Sequence, residues 1–106
     1  MAKRIALTWT QVFPKGAYLA GIRPYYNYVN GQKSDVQTGW YYNIVNRDGY
    51  EIIPVKVIEK NPLMTQQEID DSLEDIPVVA EGFIGSIYDK DGKIKISGTA
   101  EKVVLK

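Results

Sequence analysis

Between Ala17 and Leu105 the chain alternates apolar and polar residues with the period of a β-strand, and that rhythm breaks for one helical segment. The break starts at Thr65-Gln66-Gln67-Glu68, where Thr65 can accept from the Glu68 backbone N–H while the Glu68 carboxylate reaches back. Met64 before the cap and Ile69 after it are spaced as a hydrophobic staple, and Ile69 and Leu73 share a face at i, i+4. Ile76-Pro77 then stops the helix, so the spacing predicts about three turns, from Thr65 to near Asp75. A chain with this rhythm must fold mainly as β-sheet with one short helix inserted.

The strand segments follow from residue type and punctuation. Ala17 to Val29 reads as a long first strand, in which Pro24 asks for an edge position or a bulge. Asn30-Gly31 opens a polar loop to Thr38, Trp40 to Asn46 is a second strand, and Arg47-Asp48-Gly49 turns into a third, Tyr50 to Ile58. Pro54 suggests a bend there rather than a flat central strand. After the helix, residues 78–88 form a fourth strand with bend points at Gly82 and Gly85, Asp89-Lys90-Asp91-Gly92 is a hairpin turn, and Lys93 to Leu105 is the fifth. Residues 1–15 read as an arm or an extra strand. The order β-β-β-α-β-β is that of an all-β, five-stranded OB-like Greek-key barrel, whose helix plugs the end between strands three and four. SH3-like barrels and α+β rolls are the alternatives with five strands and one helix. A length of 106 residues suits a single domain, residues 1–106.

Composition removes much chemistry. There is no Cys, hence no disulfide, thiolate nucleophile or cysteine-bound zinc, and no His, the usual neutral-pH base and commonest metal ligand. Glu68, Asp70, Asp71, Glu74 and Asp75 crowd the helix and raise a Mg²⁺ site or an acid/base pair, but nothing else catalytic converges there and a solvated helix face accounts for them. Asp89 to Gly92 lacks the further acidic ligands of a calcium loop, and position twelve from Asp89 is Ala100. No glycine-rich phosphate loop is present, and the serines have no triad or elbow context. The expectation is a non-enzyme without cofactor or metal. No apolar run approaches the ~20 residues of a membrane span, and Ile5 to Thr10 is too short and polar for a secretory core, so a cytoplasmic protein is expected.

Aromatic and basic residues carry the positive signal. Residues 1–60 hold eight Lys/Arg against four acids and residues 61–106 five against nine, so a neutral chain is +4 in its first part and −4 in its second. A polyanion would meet the first and avoid the second, unless the acids merely decorate a surface helix. Residues 21–47 gather Arg23, Tyr25, Tyr26, Tyr28, Lys33, Trp40, Tyr41, Tyr42 and Arg47 around one acid, Asp35. Arg23 cannot sit unpaired in a core, so its phase faces outward with Tyr25 and Asn27, leaving Ile22, Pro24, Tyr26 and Tyr28 in the other. By the same logic Trp40, Tyr42 and Ile44 face inward and Tyr41 and Asn43 outward. Ile53, Val55 and Val57 are core, and Lys56 is outside. Tyr is also a good strand former and core filler, which explains any single Tyr. Interleaved with cations, they suit single-stranded nucleic acid: bases stack on Tyr25 and Tyr41 while Arg23, Lys33, Arg47, Lys56 and Lys90 take phosphates, Asn43 lying among them. The same face also suits a protein partner. A small-ligand or carbohydrate site is the weaker reading. An aromatic-rich edge strand further predicts a homo-oligomer.

Gly21-Ile22-Arg23-Pro24-Tyr25-Tyr26-Asn27-Tyr28-Val29-Asn30-Gly31, followed by Ser34-Asp35, Gly39 and Tyr42, resembles a family of small proteins encoded by conjugative transposons and related mobile elements of Gram-positive bacteria. The likeness covers residues 18–58 and, in outline, the helix and last strands. It implies a mobile-element setting; joined to the single-strand reading of the aromatic-basic face, the expected partners are single-stranded DNA and proteins of replication or transfer. In element order the chain is also similar to small OB-fold single-strand DNA-binding proteins of phages and plasmids. It departs from their usual pattern in being neutral and in lacking a long acidic C-terminal tail.

Overall fold

Strand-forming residues dominate the chain, and the computed structural model, which describes residues 6–106, builds eight strands and two short helices from them. In chain order these are β1 (Ala6–Leu7), α1 (Trp9–Val12), β2 (Ala17–Val29), β3 (Gln32–Asn46), β4 (Ile52–Val57), α2 (Gln66–Asp71), β5 (Val78–Glu81), β6 (Ile84–Lys90), β7 (Lys93–Ala100) and β8 (Lys102–Leu105). Six of them form a mixed sheet in the order β1-β6-β7-β4-β3-β2, with β4 and β7 parallel, while β5 and β8 pair separately. The all-β class is as expected; the sheet is not closed into a barrel.

Several boundaries depart from the sequence reading, each for a local reason. The loop anticipated over Asn30 to Thr38 is mostly strand. Asn30 and Gly31, both at positive φ (53° and 80°), make a two-residue hairpin turn, and β3 begins at Gln32. Ladder irregularities at Leu19/Gly21, Tyr25/Tyr26 and Tyr26/Tyr28 absorb the mismatch. The fourth strand divides at Gly82, whose φ of +67° ends β5 before Phe83 swings into the core. The fifth divides at Glu101, which hydrogen-bonds through its N–H to Glu81 O and hands the chain from the large sheet to the small one. The helix keeps its Thr65–Glu68 capping box but ends at Asp71 rather than near Asp75, because Ser72 is already extended and Leu73 finds no core to cover it. Pro24 lies on β2 at the sheet margin, as its missing N–H asks. Pro54 is in central β4, outside the three β4–β7 rungs at Val55, Lys56 and Val57.

Residues 1–15 read as an arm or an extra strand; their described part holds a two-residue strand and a helical turn packed against the core. Ala6 and Leu7 pair with Ser86 and Gly85 of β6, and a second capping box, Thr8 with Gln11, starts the one-turn α1. Residues 1–5 lie outside the described residues. That turn delivers Trp9 and Phe13 to Phe83, with ring centroids 4.3–5.8 Å apart. Gly98 makes room for Phe83, since a Cβ there would fall 2.3 Å from Cε2 of the ring. The core below comprises Leu19, Tyr42, Ile44, Ile53, Val55, Val57, Ile69, Val78 and Val103, among others. Two buried polar groups anchor it. Asn46 Nδ2 donates to Val12 O at 2.7 Å, tying α1 to the end of β3. The Tyr42 hydroxyl donates to Glu59 and accepts from Leu63 N–H. Burial, aided by the Glu59 carboxylate, holds that phenol well above the usual tyrosine range.

Candidate nucleic-acid interface

Register decides which side chains meet on the outer face. Arg23 on β2 stands directly opposite Tyr41 on β3, and Tyr41 opposite Lys56 on β4. Cross-strand neighbours of this kind have Cβ atoms ~5 Å apart, within reach of aromatic and long side chains. Accordingly the Arg23 guanidinium lies 4.4 Å from the Tyr41 ring centroid, and Tyr41 meets Tyr25 edge-to-face at 5.3 Å and 86°. The Lys56 ammonium sits 4.8 Å from the Tyr25 ring. Two tyrosines and two cations therefore form one interlocked cluster, each cation on a ring face. Such cation–ring pairs at exposed sites are worth ~0.5–1 kcal/mol apiece. They hold the long side chains over the sheet in place of solvent.

Two grooves adjoin the cluster, and Arg23 and Tyr41 line both. The smaller, about 230 Å³, opens toward the β2–β3 hairpin between Tyr25, Tyr26 and Lys33. The larger, about 570 Å³, runs over Pro54 and Lys56 to Ser86, Tyr88, Ser97 and Thr99. Its walls offer hydroxyls, aromatic faces and two cations.

The eight residues singled out from sequence are not all together. Arg23, Tyr25, Tyr41 and Lys56 form the cluster, as strand alternation requires. Lys33 joins the smaller groove, but from within β3 rather than from a loop, with its ammonium 4.6 Å from the Tyr26 ring. Asn43 shares the outward phase of Tyr41, opposite Pro54 and beside Gly21, outside both groove linings. Arg47 lies apart from both grooves, at the β3–β4 turn, with its guanidinium 5.0 Å from the Tyr18 ring and 3.5 Å from Asp75 Oδ2. Lys90 is exposed at the end of β6, two residues past Tyr88 and in its phase.

Sequence reasoning places Pro24 and Tyr26 inward with Ile22, yet Pro24 is exposed and both line the smaller groove. The ladder is irregular beside Tyr26, with the extra residues on β3, where one step from Tyr25 to Tyr26 spans Gly39 to Gln37 and two steps to Tyr28 span Gln37 to Lys33. Tyr88, Ser86, Ser97 and Thr99 escape sequence reasoning altogether. The alternation of residues 84–99 is legible, but not the fact that Thr99 stands opposite Lys56 across a parallel pair. The acidic helix stays away from the grooves. Its Asp70 and Asp71 accept from Gln66 and Gln67, and Gln66 Oε1 accepts from Ile22 N–H at 2.8 Å, tying the helix to β2 beside the bulge. Among the described residues no His/Cys/Asp/Glu group could hold a metal ion, and no helix is long and apolar enough to cross a membrane. Compared with protein-family models, curated proteins and solved structures, the chain matches none.

Proposed function

We propose that the chain is a non-enzymatic, cytoplasmic single-stranded DNA-binding protein of a mobile element, its bases stacking on Tyr25 and Tyr41 and its phosphates held by Arg23, Lys33 and Lys56. The observation that carries this reading is the interlocked cluster of Arg23, Tyr25, Tyr41 and Lys56 between two open grooves. Flat aromatic faces accept any base, and cations beside them meet the backbone that necessarily accompanies it. Where a cation already covers a ring, an entering base stacks on the guanidinium or displaces the ammonium toward a phosphate.

An OB-like reading of the sheet supports the same conclusion. If β5 with β6, and β7 with β8, are each one bent strand, the connectivity is three antiparallel strands, a helix and two more, with the third and fifth parallel. The Tyr18–Pro77 bridge and the Leu19 N–H to Ile76 O bond bring the first of these strands against the residues that lead into the fourth. On that reading the cluster spans the first three strands, and OB folds use the second and third for oligonucleotides. The resemblance carried by residues 21–42 supplies the mobile-element setting.

Titration of oligo-dT and matching duplex at two salt concentrations tests the proposal. Tyr25→Ala and Tyr41→Ala should each weaken single-strand binding by ~1–3 kcal/mol with the salt slope kept. Arg23→Ala or Lys56→Ala should also lower that slope, by ~0.7 for each phosphate that is no longer neutralised. Absence of oligo-dT affinity at low salt, or equal affinity for duplex, would overturn the proposal. A salt-insensitive protein partner would then be the reading to pursue for this face.

A further inference from the structure

We infer that the binding track continues past Lys56 onto the β6–β7 hairpin, where Tyr88, Lys93 and Lys95 form its far end, so that the protein selects strands long enough to occupy both grooves. The inference rests on the single-strand reading above and extends it to residues outside the tyrosine cluster.

The register carries it. Lys56 stands opposite Thr99, and Ser97, Lys95 and Lys93 follow along β7 in the same phase with no irregularity in the β6–β7 ladder. Across that ladder Ser86 faces Ser97, Tyr88 faces Lys95, and Lys90 faces Lys93. The larger groove joins Arg23, Tyr41 and Lys56 to Ser86, Tyr88, Ser97 and Thr99, so the hairpin surface is physically continuous with the cluster. Lys93 and Lys95 are exposed, as is Tyr88 at 42%. The ion pairs among the described residues are made by Lys15, Arg47 and Lys102. Asp89 falls in the opposite phase to Tyr88, so alternation turns its carboxylate away from this row. The stretch that is −4 in sequence thus contributes three lysines to the basic face.

Length follows from strand geometry. The β2–β3 hairpin tip lies at the Trp40/Val57 end of the β3–β4 ladder, and the β6–β7 tip lies beyond its Val45/Ile52 end. From Tyr26 on β2 to Tyr88 on β6 the path crosses four strand spacings of ~4.8 Å and descends about eight residues at ~3.3 Å each, roughly 30 Å on a flat sheet. A mononucleotide cannot bridge that distance. An extended strand within the ~4–16 nucleotides typical of such a face can. Arg23 and Tyr41, shared by both grooves, would be the sill that every bound strand crosses.

The test compares wild type with the double variant Lys93→Ala/Lys95→Ala, titrated with oligo-dT of about four and about twelve nucleotides. Wild type should bind the longer oligomer at least about tenfold tighter per site than the shorter one. The double variant should lose most of that advantage, and its salt slope on the longer oligomer should fall by ~1.4. Its affinity for the short oligomer should stay within about twofold of wild type. Tyr88→Ala should likewise affect the long oligomer alone. An unchanged slope and affinity for the long oligomer in the double variant would overturn the extension while leaving the Tyr25/Tyr41 site standing. Failure of wild type to bind either oligomer would instead remove the underlying single-strand reading, and the extension with it.

Discussion

Tyr41 and Tyr42 are neighbours in sequence and opposites in structure. Tyr42 is fully buried, with its hydroxyl bonded to Glu59 and to Leu63 N–H, and packs with Ile44, Val55 and Val57. Tyr41, one residue earlier, turns to the outer face, carries a guanidinium on its ring and meets Tyr25 edge-on. One side chain is a polar anchor inside the core and the other is a surface that a flat ligand can share. Period-two alternation produces this division without any difference in chemistry between the residues. The comparison teaches that counting tyrosines says little about binding; the phase of each one says most of it.

The largest effect that would break the comparison is on stability. Tyr42→Ala removes a core ring and orphans Glu59 and the Leu63 N–H, so urea unfolding should show a loss of ~3–5 kcal/mol. Tyr41→Ala, on the exposed face, should change stability by less than ~1 kcal/mol in the same assay. A similar stability loss in both would show that the two faces are not distinct.

Alkaline pH sharpens the contrast next. The Tyr42 phenol is raised in the folded state by burial and by Glu59, so it stays protonated where an unfolded tyrosine, near pH ~10, has ionised. The unfolded state then binds fewer protons, and stability falls as pH climbs above ~10. Tyr42→Phe removes that titration, so its unfolding free energy should be lower by ~1 kcal/mol at neutral pH and flatter above pH ~10. Wild type and variant with parallel alkaline profiles would contradict the assignment.

The smallest expected effect concerns Arg47, whose guanidinium is engaged by Tyr18 and Asp75 away from both grooves. Arg47→Ala should shift oligo-dT affinity by less than ~0.5 kcal/mol and leave the salt slope in place, whereas Arg23→Ala lowers both. A slope change for Arg47→Ala as large as that for Arg23→Ala would return it to the interface.

Much of this is legible in the sequence, for reasons that can be named. Side chains on one strand alternate whatever the strand pairs with, so Arg23 outward and Tyr42, Ile44, Ile53, Val55 and Val57 inward follow from residue type alone. The Thr65 capping box is legible because its donors and acceptors are three residues apart. The β3 start at Gln32 is not, since the polar run Gln32 to Thr38 gives no apolar alternation to read, and neither is the place of Pro24 and Tyr26 on the smaller groove, at the irregular outer end of the β2–β3 ladder. The sequence by itself determined the all-β class, the helix start and the faces within the regular strands, because those depend on local periods and short-range hydrogen bonds. Only the tertiary structure decided that β4 runs parallel to β7, and so that Lys93 and Lys95, from the acidic part of the chain, share a face with Arg23 and Lys56. Pairing between strands some forty residues apart is fixed by how the whole core packs, and no local rule carries that information.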